Sequence, residues 1–182
     1  MGGSESANGD PAANVNASDT EVATNAAISA DGIYIMETDG LLVDMIGAIS
    51  VEQVNTNSTT TVRTDAALSD LETTDAGPVQ VAAVNGSITV NEGDPDDAGV
   101  KAGLTGNILL KARGAGGDVV LNADLRSRSG HLPVPAPDAL DCHASLSPTP
   151  GHVLICAGYA TAHGALTAGG HHDAGPLATL RT

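Results

Sequence analysis

The chain has 182 residues and a formal net charge of −15 at pH 7, from 22 acidic side chains against 7 Lys and Arg. This balance argues against nucleic acid as a partner and disfavours an anionic membrane surface, because both are bound through clustered Lys and Arg. There is no Phe or Trp and there are two Tyr, although large rings normally supply much of the apolar area of a core. Small aliphatic side chains must therefore fill the core, and they suit a narrow core of stacked rows.

The first 27 residues are rich in Ala, Asn, Ser, Gly and Asp and show no sustained period, so residues 1–27 are predicted to be a flexible lead-in. The start, Met1–Ser6, lacks the basic residues and apolar run of a secretory signal peptide. No stretch approaches the ~20 apolar residues of a transmembrane helix, so we expect no membrane insertion. The chain is then either cytosolic or an internal piece of a longer exported protein.

From residue 28 the sequence consists of short runs of β-prone residues, each of which ends at Gly, Asn or Asp. Such runs predict strands. These runs include Gly32–Met36, Leu41–Met45, Ile49–Val51, Thr60–Val62 and Val79–Val81. No helix of ordinary length fits between them. The sequence therefore predicts an all-β fold over residues 28–131.

An internal repeat runs through this region: a Gly, a small polar residue or His, an aliphatic residue, any residue and a second aliphatic residue. Copies begin at Gly86, Gly106, Gly130 and Gly151, at steps of 20, 24 and 21 residues, and a related unit begins at Gly117. The two aliphatic positions share one face of a strand because side chains alternate, and Gly permits a sharp turn before it. A period of about 20–50 residues is typical of solenoids. The repeat thus predicts a parallel β-solenoid, with chance recurrence and an antiparallel sandwich as the alternatives.

The repeat also predicts which side chains stack. One row contains Ile88, Ile108 and Leu132, and a second contains Val90, Leu110 and Val134. Val153 and Ile155 continue these rows only if regular strand pairing resumes after Pro133, Pro135 and Pro137. Proline has no backbone N–H and so cannot donate a hydrogen bond to a neighbouring strand. A degenerate or disrupted coil is therefore predicted over residues 132–163.

Composition changes abruptly towards the end of the chain. All six His and both Cys lie from residue 131 onward, together with only three of the 22 acids. Residues 164–182 have no strand or helix period and are predicted to be a disordered tail. This end is interpreted either as a degenerate coil or as the product of a shifted reading frame, and the three frames of the encoding DNA would distinguish the two.

The segment Asp31–Leu41 resembles a recurrent unit of giant bacterial surface proteins, the filamentous haemagglutinins and related large adhesins. The run from Gly106 through Ala123 to His131 is similar to their repeats, and the resemblance covers about residues 28–131. It implies a right-handed parallel β-helix, export to the cell surface or medium, and a role in adhesion or surface architecture. It supplies no catalytic residues. Because the chain lacks the family's export signal, secretion domain and membrane anchor, the resemblance implies a fragment or a decayed copy.

Calcium is the one cofactor with candidate ligands, at Asp94, Asp96 and Asp97. An EF-hand loop needs oxygen ligands at positions 1, 3 and 5, Gly at 6 and Glu at 12. Counted from Asp94, position 5 is Ala98 and position 12 is Thr105, so the pattern is incomplete and a solvated acidic turn is the alternative. Likewise, Gly114–Asp118 resembles part of a calcium-binding nonapeptide repeat, but one copy is better explained as the tight turn before Val119.

Zinc and catalytic sites are not predicted. The Cys and His set comprises Cys142, His143, His152, Cys156, His163, His171 and His172, and it lacks the regular short ligand spacing of structural zinc sites. Ser145 and Ser147 lie near His143 and Asp141, but neither occupies a Gly-x-Ser-x-Gly elbow. A polysaccharide lyase or hydrolase on a β-helix is the most plausible enzyme alternative. It would need charged side chains along stacked strands, whereas the strand centres here read as aliphatic or Thr.

These observations predict a non-catalytic structural or adhesive module of a secreted bacterial surface repeat protein. Its partner is an unspecified surface protein or glycan, and open solenoid ends would favour self-association, because solenoids need caps. A calcium-stabilised repeat module is the first alternative. A non-functional or frameshifted fragment is the second.

Overall fold

A computed structural model of the chain describes residues 18–148, 152–162 and 172–174. Regular structure within these ranges consists of β-strands, and no helix occurs there. The strands are β1 Ser18–Thr20, β2 Thr24–Asn25, β3 Ala27–Ser29, β4 Ile33–Glu37, β5 Leu41–Val43, β6 Ile49–Val54, β7 Thr60–Asp65, β8 Leu71–Thr73, β9 Val79–Ala83, β10 Ile88–Val90, β11 Ala98–Ala102, β12 Ile108–Ala112, β13 Val119–Leu121, β14 Asp124–Ser127, β15 Leu132–Cys142, β16 Leu146–Pro148, β17 Val153–Ala162 and β18 His172–Ala174.

Three sheets of parallel strands contain all of these elements except β6 and β7. Sheet A has the order β1-β4-β9-β12, sheet B the order β18-β17-β15-β13-β10-β5-β2, and sheet C the order β16-β14-β11-β8-β3. From β1 to β14 the chain visits sheets A, B and C in turn, so each circuit adds one strand to every sheet. The predicted all-β fold with parallel pairing is confirmed, and the antiparallel sandwich is wrong for these three sheets.

The core consists of rows of aliphatic side chains that face inward at alternate strand positions. In sheet A, Val79 is in register with Ile33 on one side and Ile108 on the other, and none of the three is more than 6% exposed. Sheets B and C build equivalent rows, Leu41–Ile88–Val119–Leu140 and Leu71–Val100–Leu125–Leu146. Full burial of one such side chain stabilises the fold by ~1.5–3 kcal/mol.

In the predicted rows, the stacking of the first residue on the second is wrong, whereas the later stacking is partly correct. Ile88 lies in sheet B, whereas Ile108 lies in sheet A, so the two side chains do not stack on one another. The backbone N–H of Ile108 donates to the carbonyl of His131, at 3.0 Å, which brings Leu132 into line with Ile108. Leu132 is in turn in register with Val153.

Glycines at two different corners of the circuit explain why Ile88 was placed in the wrong row. Gly106 and Gly130 stack at the corner from sheet C to sheet A, where a Cβ on Gly130 would lie 2.0 Å from the Gly106 carbonyl oxygen. Gly86 belongs to the corner from sheet A to sheet B, where a Cβ would lie 2.7 Å from the Gly40 nitrogen. Both corners need a residue without a side chain, so their local sequences are alike although they lead into different sheets.

The three prolines do not interrupt the parallel pairing. β15 contains Pro133, Pro135 and Pro137 and pairs with β17, with a register shift between Ala136 and Ala139. The N–H of Leu132 donates to His152 on the β17 side, at 2.8 Å. Successive N–H groups of a strand point to opposite neighbours, so Pro133 and Pro135 remove donors only from the side that faces β12. The pairing with β17 therefore continues through the segment for which a disrupted coil is predicted.

The paired region also begins before the predicted boundary at residue 28. Within the predicted lead-in, β1 pairs with β4 and β2 pairs with β5. Residues 1–17 lie outside the described residues, as does the predicted disordered tail except for β18, which pairs with β17.

An antiparallel hairpin, β6–β7, interrupts the circuit between β5 and β8. Its register runs from Ile49 opposite Asp65 to Val54 opposite Thr60, and a bridge between Ile46 and Leu68 extends its base. Every residue of both strands is exposed. The connection from sheet B to sheet C, called the B–C corner below, thus spans residues 44–70 in this circuit, against 91–97 and 122–123 in the next two.

Candidate metal centre

A cluster of carboxylates occupies the B–C corner, where two successive circuits meet. Asp70 ends the 44–70 insertion directly before β8, whereas Asp94 and Asp96 lie in the 91–97 loop before β11. Because β8 and β11 pair in parallel, with Leu71 beside Val100, the loop is held against the base of the insertion.

The three carboxylates are close enough to share one ion. One carboxylate oxygen from each of Asp70, Asp94 and Asp96 lies within 4.8 Å of the others. Asp94 Oδ2 accepts a hydrogen bond from the Ser69 hydroxyl at 3.2 Å, and Asp94 Oδ1 accepts one from the Asp96 amide at 3.1 Å. These bonds fix the Asp94 side chain between the two circuits.

Asp70 is the buried member of the cluster. The residue is 1% exposed, and its Oδ1 accepts a hydrogen bond from the Gly93 amide at 3.1 Å. Its Oδ2 is also buried but has no hydrogen-bond partner among the residues that the structure describes. Burial raises the pKa of Asp70 above the ordinary value, although the hydrogen bond from the Gly93 amide acts in the opposite direction. A buried carboxylate oxygen without a partner is costly, so this atom calls for an explanation.

Asp96, by contrast, is already paired with a cation. Lys101 Nζ lies 2.7 Å from Asp96 Oδ2 and 3.3 Å from a carboxylate oxygen of Glu72. The hydrogen bond from Lys101 is the main reason that the pKa of Asp96 is lowered. Burial alone would lower the pKa of Lys101, but its hydrogen bonds and charge pairing with Asp96 and Glu72 raise it above the ordinary value.

Two of the three predicted calcium ligands therefore lie in the cluster, and one does not. Asp94 and Asp96 belong to it, whereas Asp97 is exposed, has a φ of 65°, and lies outside the group of converging carboxylates. Asp70, which lies 24 residues before Asp94, was not predicted from the sequence to be a ligand. No local pattern indicated it, because only the pairing of β8 with β11 brings Asp70 to the loop.

The other candidate residues adopt structural roles. Gly114 and Gly116, with φ of 85° and 76°, form the predicted turn before Val119, and Asp118 accepts a hydrogen bond from the Ala139 amide at 2.9 Å. Of the Cys and His set, His163 and His171 lie outside the described residues. Cys142 occupies an inner position of sheet B as a free thiol, and burial raises its pKa. Within the described part of the chain, no cluster of Cys and His that could hold a metal is found.

The residues around Ser145 and Ser147, for which the sequence predicts no catalytic site, are held by neighbouring strands. His143 Nε2 lies 3.2 Å from Asp141 Oδ2. The Ser145 amide donates to Asp124 at 2.7 Å, and Ser147 lies beside Arg126 in the pairing of β14 with β16.

A row of charged side chains on the outer side of sheet C was not foreseen. Glu72 is the central residue of β8, and Lys101 of β11 and Arg126 of β14 are in register with it; all three are partly exposed. With Arg128 and Ser147 they line a shallow groove. The expectation that strand centres carry only aliphatic side chains or Thr is therefore wrong in this sheet.

No protein-family model, no curated protein and no solved structure matches the chain. Among the described residues there is no helix long and apolar enough to cross a membrane.

Proposed function

We propose that the chain is a non-catalytic structural and adhesive module of a secreted bacterial surface repeat protein, folded as a right-handed parallel β-solenoid. The cyclic visits to sheets A, B and C support the solenoid, because they give each circuit the same three faces. In this arrangement the inner rows supply a stiff body, and the corners between sheets tolerate insertions.

The exposed hairpin β6–β7 is the observation that carries the adhesive role. Its side chains Ile49, Val51, Val54 and Val62 are 55%, 56%, 72% and 61% exposed. Exposed apolar side chains grouped on one element mark interaction sites more often than single exposed ones do. The hairpin, which lies outside the three parallel sheets, thus offers a protein or glycan on a target cell a pair of apolar side chains on each of its faces, because side chains alternate along its strands.

The charged row of sheet C favours a structural role over catalysis. A lyase on a β-helix needs a basic residue that can accept a proton. Lys101 is bound to Asp96 and Glu72, and its pKa is raised, so its amine stays protonated at neutral pH. Arg126 is likewise held, by Asp124 and by the carbonyl of Asp96.

Binding to surfaces tests the proposed function. Fluorescently labelled chain is applied to cultured epithelial cells and to a glycan array, beside a variant in which residues 47–66 are replaced by a short Gly-Ser turn. We expect saturable binding by the intact chain and loss of that binding in the variant, whose circular dichroism spectrum should still show the β-structure of the three parallel sheets. Absence of binding by the intact chain, or equal binding by both, would contradict the adhesive role.

The solenoid is tested separately by a crystal structure. We expect equivalent strands of successive circuits to be ~4.8 Å apart along one axis, with right-handed winding. Left-handed winding, or sheets that do not share one axis, would contradict it.

A further inference from the structure

We propose that Asp70, Asp94 and Asp96 form a calcium site that fastens the base of the projecting hairpin to the 91–97 loop. The site goes beyond the proposed function and does not depend on it.

The decisive observation is the buried Oδ2 of Asp70. This residue is 1% exposed, and its Oδ2 has no hydrogen-bond partner within the described part of the chain. One of its carboxylate oxygens lies within 4.8 Å of those of Asp94 and Asp96. Nearby positive charge does not supply the missing partner, because Lys101 donates its hydrogen bond to Asp96 and pairs further with Glu72. A cation placed among the three carboxylates would provide the partner that Asp70 Oδ2 lacks.

Chemistry and spacing favour calcium among the common metal ions. All three candidate ligands are carboxylate oxygens, whereas zinc sites use mainly His and Cys. Calcium accepts oxygen ligands at about 2.3–2.6 Å in flexible geometry, so two ligands of one ion lie up to about 5 Å apart. The observed limit of 4.8 Å fits this range. Magnesium demands near-ideal octahedral geometry, which carboxylates from two separate loops do not readily offer.

The position of the ligands gives the ion a mechanical role. Asp70 belongs to the end of the hairpin insertion, and the other two ligands belong to the loop of the following circuit. The contact is already close, since a Cβ on Gly93 would lie 2.8 Å from Asp70 Oδ1. One ion would therefore cross-link two circuits at the point from which the hairpin projects. Three protein carboxylates with water completing the shell predict the weak affinity of extracellular modules, a Kd of about 10⁻⁴–10⁻³ M.

Thermal unfolding of the full chain provides the test. The melting temperature is measured in EDTA and in 10 mM CaCl2, with NaCl matched for ionic strength, for the wild type and for Asp70→Asn. At that concentration the wild type should melt about 3–10 °C higher than in EDTA. Asp70→Asn should lose this rise, and in EDTA it should be no less stable than the wild type because a buried charge has been removed.

Two further variants separate the site from general charge effects. Asp75→Asn makes the same charge change in an exposed turn and should keep the full calcium response. Asp94→Asn removes a second ligand and should lose the response even if Asp70→Asn fails to fold. The proposal is overturned if the wild type shows no calcium-dependent rise, if Asp94→Asn keeps it, or if Asp75→Asn loses it equally. Isothermal titration of wild type with CaCl2 should give close to one site per chain.

Discussion

The inner rows and the projecting hairpin are both β-structure rich in Val and Ile, yet they hold these side chains in opposite environments. Val81 and Ile108 are fully buried, whereas Val54 and Val62 are 72% and 61% exposed. In the stacked sheets, each new strand covers the row of the strand before it. A lone two-stranded hairpin has no covered face and is marginally stable by itself. Residues that favour strands therefore do not by themselves reveal which strands contribute most of the stabilising free energy.

The same contrast appears in the corners of the circuit. The B–C corner varies from residues 122–123 to residues 44–70 while the strands that it joins keep their register. Asp44, Asn91 and Asn122 follow three successive strands of sheet B, and their side chains are hydrogen-bonded in sequence at 2.9 Å. The residue directly after each of these strands therefore keeps an equivalent hydrogen-bonded position in the three circuits. In the circuit with the hairpin, the chain leaves the stacked arrangement only after this residue.

The largest effect is expected in the inner row of sheet A. Ile108→Ala should lower the free energy of unfolding by ~2–5 kcal/mol, because it removes a fully buried side chain and leaves a cavity. Thr89→Ala changes an outward-facing position of β10 and should cost less than ~1 kcal/mol. Urea denaturation measures both, and equal losses would mean that inward and outward faces are misassigned.

A smaller loss is expected at the stacked glycines. Gly130→Ala should destabilise the protein by ~1–3 kcal/mol, because its Cβ would lie 2.0 Å from a backbone oxygen that cannot move freely. Gly47 lies at the base of the hairpin, and no atom of the other described residues lies within 4 Å of an added Cβ there, so Gly47→Ala is the matched control and should be near neutral. A similar fall in melting temperature for both variants would show that the corners are not closely packed.

The smallest effect belongs to the hairpin itself. Val54→Ala and Val62→Ala should change stability by no more than ~0.5 kcal/mol, since both side chains are already largely in water. Differential scanning calorimetry of each variant beside the wild type measures this. A loss above ~1 kcal/mol would indicate that these valines are covered, for example by a second copy of the chain, which a concentration series would reveal.

The local features of this protein follow from its amino-acid sequence. Alternating aliphatic positions predicted the all-β fold, and pairs such as Ile88 with Val90 face inward together because side chains alternate along any strand. The Gly114–Asp118 turn was also predicted, since positive φ at Gly114 and Gly116 is a local property. Asp94 and Asp96 were candidates because they lie close together in one acidic loop.

Which strands stack and which carboxylates meet depends instead on contacts between distant parts of the chain. The units that begin at Gly86 and Gly106 look alike because two different corners exclude a side chain for the same steric reason, yet Ile88 and Ile108 enter different sheets. Asp70 reaches Asp94 only because β8 pairs with β11 across an inserted hairpin. The period and spacing of the repeat reflect the requirements of a single strand. The register between strands depends on the length of each corner, which sets where the chain enters the next sheet.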